Sequence, residues 1–298
     1  MATRQEVLTT KNTKITKAFF LSLFFSVCSV CSVVGVVAQQ PKRIVSLVPN
    51  VTEILYAIGA GPQVAAVSSY DEEPPAVRAL PKVGALLDPD TERILTLRPD
   101  LVITYGSQVD LQSQLTRASI PFFNYRHGDL AHIMATMREL GARTGHIAEA
   151  ERAASALEAR IAAVRARVKD RPRPRTLLVF DRQSGTLQNI YASAGRGFLH
   201  DMLDTAGGDD VLANIDKESA QASIENILTR APDVILELRS TDSLSPAAMQ
   251  KEVASWSPLA SVPAVKNHRV IILVGKELTV PGPRVAGVIE RMEKALHP

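Results

Sequence analysis

Short apolar runs alternate along most of the chain with longer segments in which apolar positions recur every three or four residues. Runs of four to six apolar, β-branched or aromatic residues favour strands, and the three-to-four spacing favours amphipathic helices. In the first half, strands are predicted at 43–48, 64–67, 101–104 and 121–125, with helices at 50–59, 91–98, 108–118 and 129–142. Strands that alternate with helices indicate an α/β fold with a mostly parallel sheet.

The second half repeats this alternation. Strands are predicted at 176–180, 189–193, 233–238 and 269–274, with helices near 197–206, 224–230, 246–254 and 283–296. Each half is small but large enough to form a domain. The predicted fold class is therefore α/β, with two α/β lobes.

A long helical segment separates the two halves. Leu157, Ile161, Val164 and Val168 are spaced as one apolar stripe in an alanine-rich run at 145–170, which predicts a helix of about seven turns. The prolines of "RPRPR" (171–175) end it, because proline cannot continue the helical hydrogen bonds. We therefore predict an N-terminal lobe at 41–144, a connecting helix at 145–171 and a C-terminal lobe at 172–298. A helical connection disfavours large opening motions.

The first 38 residues have the pattern of a secretory signal peptide. Four basic residues within the first 17 positions precede a charge-free apolar run, and Val36 and Ala38 suit cleavage before Gln39. The protein is therefore expected to be exported to the periplasm or another extracytoplasmic location. The run has about 20 residues, enough to span a bilayer, so an uncleaved anchor is the alternative.

Composition narrows the classes of function. The 298 residues include 34 basic and 31 acidic ones, a balance too even to indicate a nucleic-acid partner. Cys28 and Cys31 are the only cysteines, and both lie in the predicted signal peptide. The mature chain therefore has no disulfide, catalytic cysteine or cysteine-ligated metal.

One phrase occurs twice. "TERILTLRPDLVI" (91–103) returns as "IENILTRAPDVIL" (224–236), with six of thirteen positions identical, which indicates duplication of a helix–strand unit. Asp90 or Ser223 precedes each helix as a predicted N-cap, and Glu92 or Glu225 lies in its first turn. These glutamates complement the helix dipole in the simpler interpretation. In the other, they are paired carboxylates on pseudo-symmetric lobes that face a two-fold partner with basic pockets.

Ligand candidates come from the residues that follow each strand, because ligands of open parallel sheets bind beyond the carboxyl ends of the strands. Tyrosines and cations recur at these positions, which suits a large planar ligand with polar groups at its edge. Packing tyrosines and solvated cations are the alternatives. The predicted ligand-binding residues are Tyr70, Tyr105, Arg126, Arg182 and Lys276.

Catalytic and metal-binding motifs are missing from the sequence. It has no Walker loop, G-x-G-x-x-G after a strand, G-x-S-x-G or H-E-x-x-H, so no catalytic residues, cofactor or metal site are predicted. An exported α/β enzyme remains the less favoured alternative, since a catalytic triad leaves no fixed spacing. His127 is interpreted as a surface or hydrogen-bonded histidine, because His132 does not share a helical face with it. Trp256 is expected to pack beneath "SPLASVPAV".

Several motifs in order resemble one protein family. "RIVSLVPNVTEILYAIGAGPQVAAVSSYDEEPPAVRALPKVG", "TERILTLRPDLVI", the long helix and "GRGFLHDMLDTAGGDDVLANI" are similar to the periplasmic binding proteins of iron-siderophore, haem and cobalamin ABC importers. The resemblance covers nearly all of 42–297 and is strongest to the cobalamin-binding branch. It implies two lobes joined by a rigid helix, a small-molecule metal chelate in the cleft between them, and delivery to a dimeric permease whose arginines pair with Glu92 and Glu225. Contact with the membrane would then be through the permease, or through an uncleaved N-terminal segment.

The resemblance leaves three ligand classes open. Cobalamin or a related corrinoid is placed first, although "GALLDPD" and "ESAQAS" occupy positions at which that branch often has tryptophan. Haem would need an axial tyrosine or histidine with a basic partner, for which Tyr70, Tyr105, His127 and Arg126 are available. A ferric siderophore would need clustered arginines, and Arg126, Arg182 and Arg239 are the candidates.

Overall fold

The computed structural model describes residues 40–298, so the predicted signal peptide at 1–38 lies outside the described residues. The N-terminal half has a four-stranded, fully parallel sheet of order β2-β1-β3-β4. Its strands are β1 (Ile44–Ser46), β2 (Val64–Val67), β3 (Leu101–Tyr105) and β4 (Phe122–Tyr125). Its helices are α1 (Pro49–Ala57), α2 (Thr91–Thr96), α3 (Val109–Arg117) and α4 (Leu130–Thr144). The predicted alternation is confirmed throughout this half.

The connecting helix is α5 (Ile147–Val168), which packs against α4. Its predicted apolar stripe, from Leu157 to Val168, is buried. The helix begins two residues later than predicted, because Gly145 has a left-handed φ of 83° and ends α4 instead. Glycine adopts this conformation without steric cost, so Gly145 ends the first of the two predicted helices and does not begin the second.

The C-terminal half has a separate sheet of order β10-β9-β5-β6-β8, with β7 also pairing with β5. Its strands are β5 (Arg175–Asp181), β6 (Tyr191–Ser193), β7 (Asp209–Asp210), β8 (Ser219–Gln221), β9 (Val234–Arg239) and β10 (Val270–Val274). Its helices are α6 (Phe198–Thr205), α7 (Ile224–Arg230), α8 (Pro246–Ala254), α9 (Pro263–Lys266) and α10 (Val285–Leu296). The sheet is parallel from β10 to β5, and β6 and β8 are antiparallel additions.

The two sheets are distinct, but the core beneath them is shared. One cluster of buried apolar side chains runs from Ile44 in β1 through α4 and α5 to Leu296 in α10. On the surface of the same layer, Arg160 of α5 pairs with Glu290 of α10 at 3.0 Å, and Arg167 pairs with Glu293. The connecting helix is therefore packed into both halves and is not a free linker.

The repeated phrases have the same structure. The Asp90 carboxylate accepts a hydrogen bond from the Arg93 backbone N–H, and the Ser223 hydroxyl accepts one from Asn226, so both predicted N-caps are confirmed. Behind each helix, the phrase's aspartate binds the start of the adjacent strand. Arg43 N donates to Asp100 at 2.8 Å, and Arg175 N donates to Asp233 at 3.2 Å.

These equivalent contacts support the duplication that the sequence indicates. They also fix α2 and α7 at matching positions in the two halves. In the part of the chain from residue 40 onward, no helix has both the length and the apolar character needed to cross a membrane.

Candidate functional site

A cleft runs between the two halves at the carboxyl ends of the N-terminal strands. It contains a cavity of about 160 Å³, and one of the lining residues, Val280, comes from the C-terminal half. The lining residues are Leu47, Val48, Pro49, Asn50, Leu86, Tyr105, His127 and Val280. This is the position at which an open parallel sheet binds ligands.

One wall of the cleft is aromatic. The rings of Tyr105 and His127 have centroids 5.1 Å apart, and Tyr125 lies 5.5 Å from His127 in an edge-to-face arrangement. The Tyr125 hydroxyl accepts a hydrogen bond of 2.8 Å from Asn50 Nδ2, and burial raises the pKa of Tyr125 to about 12. Tyr125 is therefore neutral at physiological pH and forms the buried base of this wall.

Asn50 connects the two halves at the bottom of the cleft. Its Nδ2 also donates to the backbone carbonyl of Pro281, 3.0 Å away, in the segment before α10. Asn50 is not among the residues predicted from the sequence. It lies in the first turn of α1, in the "LVPN" that follows β1, near the strand end at which ligands are expected. The position of Asn50 could therefore have been found from the sequence. It was missed because an amide side chain has neither the bulk of a tyrosine nor the charge of an arginine.

His127 lies on the cleft wall with a solvent-exposed edge. Desolvation by neighbouring residues lowers its pKa from the ordinary 6.5. Glu218 acts in the opposite direction, and His132 adds to the lowering. Within residues 40–298 its ring makes no hydrogen bond, unlike His200, whose Nδ1 lies 3.3 Å from the Asp210 carboxylate. Of the two expectations for His127, surface exposure is therefore confirmed. A hydrogen bond to the ring is not found within residues 40–298.

Tyr70 lies on the loop after β2 and is 72% exposed. The loop itself is fixed: Ser68 donates to the Asp71 carboxylate at 2.6 Å, and the Tyr70 backbone N–H donates to the Ser68 hydroxyl at 3.2 Å. An exposed tyrosine on a rigid loop has a large apolar surface available for a ligand.

Lys276, directly after β10 and its following glycine, joins the two halves at the surface. Its ammonium group lies 2.5 Å from Glu72, which belongs to the same loop as Tyr70, and 2.9 Å from Asp242. These contacts place the predicted ligand residues Tyr70 and Lys276 on facing loops. Two carboxylates already compensate the charge of Lys276.

Arg126 is exposed, and its side chain lies against Gly106 next to the aromatic wall. A Cβ at Gly106 would come within 3.0 Å of the Arg126 side chain, so the glycine provides the space that this arginine occupies. Arg126 is next to His127 in the chain but is not among the residues that line the cavity.

Arg182 is placed differently from the prediction. Its side chain is fully buried, with Nε 3.0 Å from Glu237 and Nη2 2.8 Å from Glu252. The guanidinium also lies over the buried Trp256, 5.3 Å from the ring centroid. Arg182 is a core residue of the C-terminal half and cannot contact a ligand in this structure. We therefore withdraw it from the ligand-binding residues.

Trp256 packs as expected, in a cluster of buried apolar side chains in the C-terminal half that includes Leu259, Val262 and Ala264.

Arg239, at the end of β9, is mostly buried. It pairs with Glu237 and Glu252, the same glutamates that pair with Arg182. Two of the three arginines predicted to cluster, Arg182 and Arg239, therefore belong to a buried, charge-balanced network, whereas Arg126 is exposed and lies outside it.

Glu92 and Glu225 are both exposed and both occupy the second position of their helices, α2 and α7. Apolar side chains are exposed beside Glu225: Ile224 is 37% exposed and Leu228 is 44% exposed. Among residues 40–298, no group of three or more histidines, cysteines or carboxylates is arranged to hold a metal ion.

Comparison with known proteins identifies the family of this chain. The family model described as "Periplasmic binding protein" matches residues 44–276. The chain belongs to this family. The resemblance found in the sequence is therefore confirmed, and so is the two-lobed α/β fold class.

The relatives of this chain include proteins named for binding vitamin B12 and heme. A vitamin B12-binding protein of Pectobacterium carotovorum is 31% identical over 227 residues, which are 76% of this chain and 79% of the relative. The crystal structure of the periplasmic vitamin B12 binding protein BtuF of Vibrio cholerae is 26% identical, with a TM-score of 0.72, covering 86% of this chain and 96% of that one. The periplasmic heme-binding protein RhuT of Roseiflexus sp. is 25% identical, with a TM-score of 0.70, covering 86% and 98%. These relatives are binding proteins and not enzymes.

Proposed function

We propose that this protein captures a corrinoid, cobalamin or a close relative, in the cleft between its two halves and delivers it to the permease of an ABC importer. The single observation that carries the proposal is the inter-lobe cleft with its aromatic wall, in a chain 31% identical to a vitamin B12-binding protein. Export by the predicted signal peptide is part of the proposal. The protein does not convert its ligand to a product in this cycle.

The surface of the cleft suits a large planar ligand. Tyr105 on the cavity wall provides an aromatic face, and the exposed ring of Tyr70 is proposed as a second one; such faces give broad contact at low entropic cost. Arg126 and the third N–H of Lys276 can donate hydrogen bonds to carbonyl groups at the edge of the ligand. A corrin ring, which carries several peripheral amides, offers such acceptors.

The distribution of charge favours a corrinoid over the other two ligand classes. Haem carries two propionates, and many ferric siderophores are anionic, so both require free cations. Arg182 and Arg239 are instead engaged with Glu237 and Glu252, and among the predicted cations Arg126 has no ion pair in the described part of the chain. A ligand that relies on amides matches this arrangement better than a dianion does.

Docking is proposed to use Glu92 and Glu225. The matching positions of these exposed glutamates in the duplicated units suit a partner with two-fold pseudo-symmetry, as a dimeric permease would have. The side chains that join the two halves, including Asn50 and Lys276, oppose large separation of the lobes. Delivery would then depend on the permease to open the cleft.

Calorimetric titration with cyanocobalamin, haemin and a ferric hydroxamate tests the ligand assignment. We expect one-to-one binding of cyanocobalamin, and affinities for the other two that are weaker by about tenfold or more. Preferential binding of haemin would instead support the alternative of a haem carrier, for which the RhuT relative and the histidine on the cleft wall are the supporting observations. Conversion of any of these ligands to a product would support an enzyme.

A further inference from the structure

We propose that His127 binds directly to the metal of the captured chelate, in place of an exchangeable axial ligand. The inference rests on the proposed function, and goes beyond it by assigning a coordinating atom to the protein. Its basis is the position of this imidazole on the wall of the inter-lobe cavity, together with the lack of any hydrogen-bond partner in the described residues.

The surrounding rings orient the His127 imidazole. Tyr105 packs against one side, with centroids 5.1 Å apart and planes inclined at 55°, and Tyr125 packs edge-to-face at 5.5 Å. Tyr125 is itself held by its hydrogen bond from Asn50. The imidazole is thus supported by two aromatic neighbours while one edge remains open to the cleft. A ring held in this way loses little rotational freedom when it binds a metal.

The chemical state of His127 suits coordination. A metal binds the lone pair of a neutral imidazole, and desolvation, by lowering the pKa of His127 from its ordinary value, favours that neutral form. The groups that face it electrostatically are Glu218, which opposes this effect, and His132, which adds to it. Tyr105 is the neighbouring alternative, but a phenol must lose its proton before it coordinates, and an imidazole does not.

The proposed step is a ligand exchange without oxidation or reduction. In aquocobalamin the bond between cobalt and the axial water breaks, a bond between cobalt and a His127 ring nitrogen forms, and the water leaves. Cyanocobalamin holds cyanide at the same position far more tightly, so it should bind in the cleft without this exchange. The two corrinoids therefore separate coordination from capture.

The experiment titrates the purified full-length protein with aquocobalamin and cyanocobalamin and records the absorbance spectrum and the affinity. We expect the corrin bands of aquocobalamin to move to those of its imidazole adduct, and those of cyanocobalamin to stay unchanged. His127→Gln should abolish the movement and weaken aquocobalamin binding by about tenfold, while cyanocobalamin binding changes by less than about threefold. His132→Gln, a histidine on α4 outside the cavity lining, is the matched control and should keep the spectral change.

Each other outcome is decisive. Tight aquocobalamin binding with an unchanged spectrum would overturn the coordination by His127 and leave the proposed function intact. A spectral change that survives His127→Gln and disappears in Tyr105→Phe would also overturn it, by moving the bond to the phenolate. If neither corrinoid binds, the proposed function fails, and the inference fails with it. Because His127 has an exposed edge, an unchanged melting temperature should verify that the variant is folded.

Discussion

Arg284 and Glu53 form a bidentate ion pair between the two halves of the molecule. Arg284 Nη2 lies 2.7 Å from Glu53 Oε1, and Nε lies 2.8 Å from Oε2. The pair joins α1 to the segment that begins α10 and lines a second inter-lobe cavity of about 420 Å³. Burial raises the pKa of Glu53 from its ordinary value, and the hydrogen bonds and charge of Arg284 only partly offset this. The charged carboxylate therefore depends on Arg284.

Arg284→Met should destabilise the protein in a pH-dependent way. Without the guanidinium the pKa of Glu53 rises further, so the mutational loss is small where Glu53 is protonated in both states, below its unfolded value near 4.5. The loss grows as pH rises through the folded pKa, because the folded state must then hold an uncompensated charge. Urea unfolding at about pH 7.5 should show a loss of about 1 to 3 kcal/mol, and at about pH 4 less than about 1.

A double variant provides the control for this pair. Glu53→Gln combined with Arg284→Met removes the buried charge as well as its partner, so much of the stability lost at neutral pH should return. An equal loss in the single variant at both pH values would contradict the proposed dependence of Glu53 on Arg284.

Tyr70 should contribute binding free energy without contributing to stability. The ring is 72% exposed on a loop fixed by Ser68 and Asp71, so Tyr70→Ala should leave the melting temperature nearly unchanged. If the ring stacks on the corrin, the variant should bind cyanocobalamin more weakly by about 1 to 3 kcal/mol. Tyr70→Phe keeps the face of the ring and should retain most of the affinity. Calorimetry that finds equal affinity for the alanine variant would assign Tyr70 to the solvated surface.

Lys276 should contribute one hydrogen bond to the ligand although two carboxylates compensate its charge. Lys276→Met removes that donor and should weaken cyanocobalamin binding by about 1 kcal/mol. Glu72→Gln removes the 2.5 Å ion pair but keeps the lysine, so affinity should hold or rise. Lys266→Met, at an exposed lysine on α9, is the control. Equal weakening of binding by Glu72→Gln and by Lys276→Met would show that binding depends on the ion pair between the lobes and not on a contact of Lys276 with the ligand.

Arg182→Met should be strongly destabilising because it leaves Arg239 alone to compensate two buried carboxylates. Glu237 and Glu252 are 1% and 6% exposed at their side chains, and breaking a buried pair of this kind costs about 3 to 5 kcal/mol. Arg138 is a matched surface control: it also pairs with two glutamates, Glu151 and Glu158, but is 36% exposed, so Arg138→Met should cost less than about 1 kcal/mol. Urea unfolding measures both.

The same network predicts acid sensitivity. Burial alone would raise the pKa of Glu252, but hydrogen bonds from Ser184 and Gly185 and the charges of Arg239 and Arg182 outweigh it and lower the pKa below its ordinary value. The stability that this group contributes is therefore present above its unfolded pKa and is lost as pH falls through the folded one.

Similar losses for Arg182→Met and Arg138→Met at neutral pH would mean that the buried network contributes no more to stability than a surface ion pair does.

Features fixed by neighbouring residues could be predicted from the sequence. The caps Asp90 and Ser223, the strand Val64–Val67 and the helix Ile224–Arg230 depend on local periodicity and on side chains a few positions away. One departure from the prediction is also local in origin. Gly145 satisfies a helical pattern on paper, but its left-handed backbone ends one helix before the next begins.

Side-chain environments that depend on distant residues could not be predicted. The strand-end rule placed Arg182 near the cleft edge but not its orientation, which is set by Glu237 and Glu252, 55 and 70 positions away. Lys276 is compensated by Glu72, 204 positions away. A pattern of residue types therefore predicts at which end of the sheet a side chain lies. It does not predict which neighbour neutralises the charge of that side chain, because this depends on how distant parts of the chain pack together.

The last prediction concerns the two docking glutamates. Replacing both residues, Glu92→Ala with Glu225→Ala, removes two exposed carboxylates and up to about 1 kcal/mol of helix-dipole stabilisation each. The cleft is untouched, so cyanocobalamin affinity should stay within about twofold of the parent. Uptake in cells that depend on this protein should collapse, because both halves lose their partner for the permease's basic residues.

The matched control and the salt dependence separate docking from a general charge effect. Glu139→Ala with Glu290→Ala also removes two solvent-accessible carboxylates, one from each half, at helix positions away from the N-termini, and should leave uptake near normal. Binding of the ligand-loaded protein to permease vesicles should weaken as salt rises, because exposed charge pairs are screened over about 10 Å at 0.1 M. Loss of that salt dependence in the Glu92/Glu225 variant would tie the attraction to these two residues, whereas normal uptake would show that the permease docks through another surface.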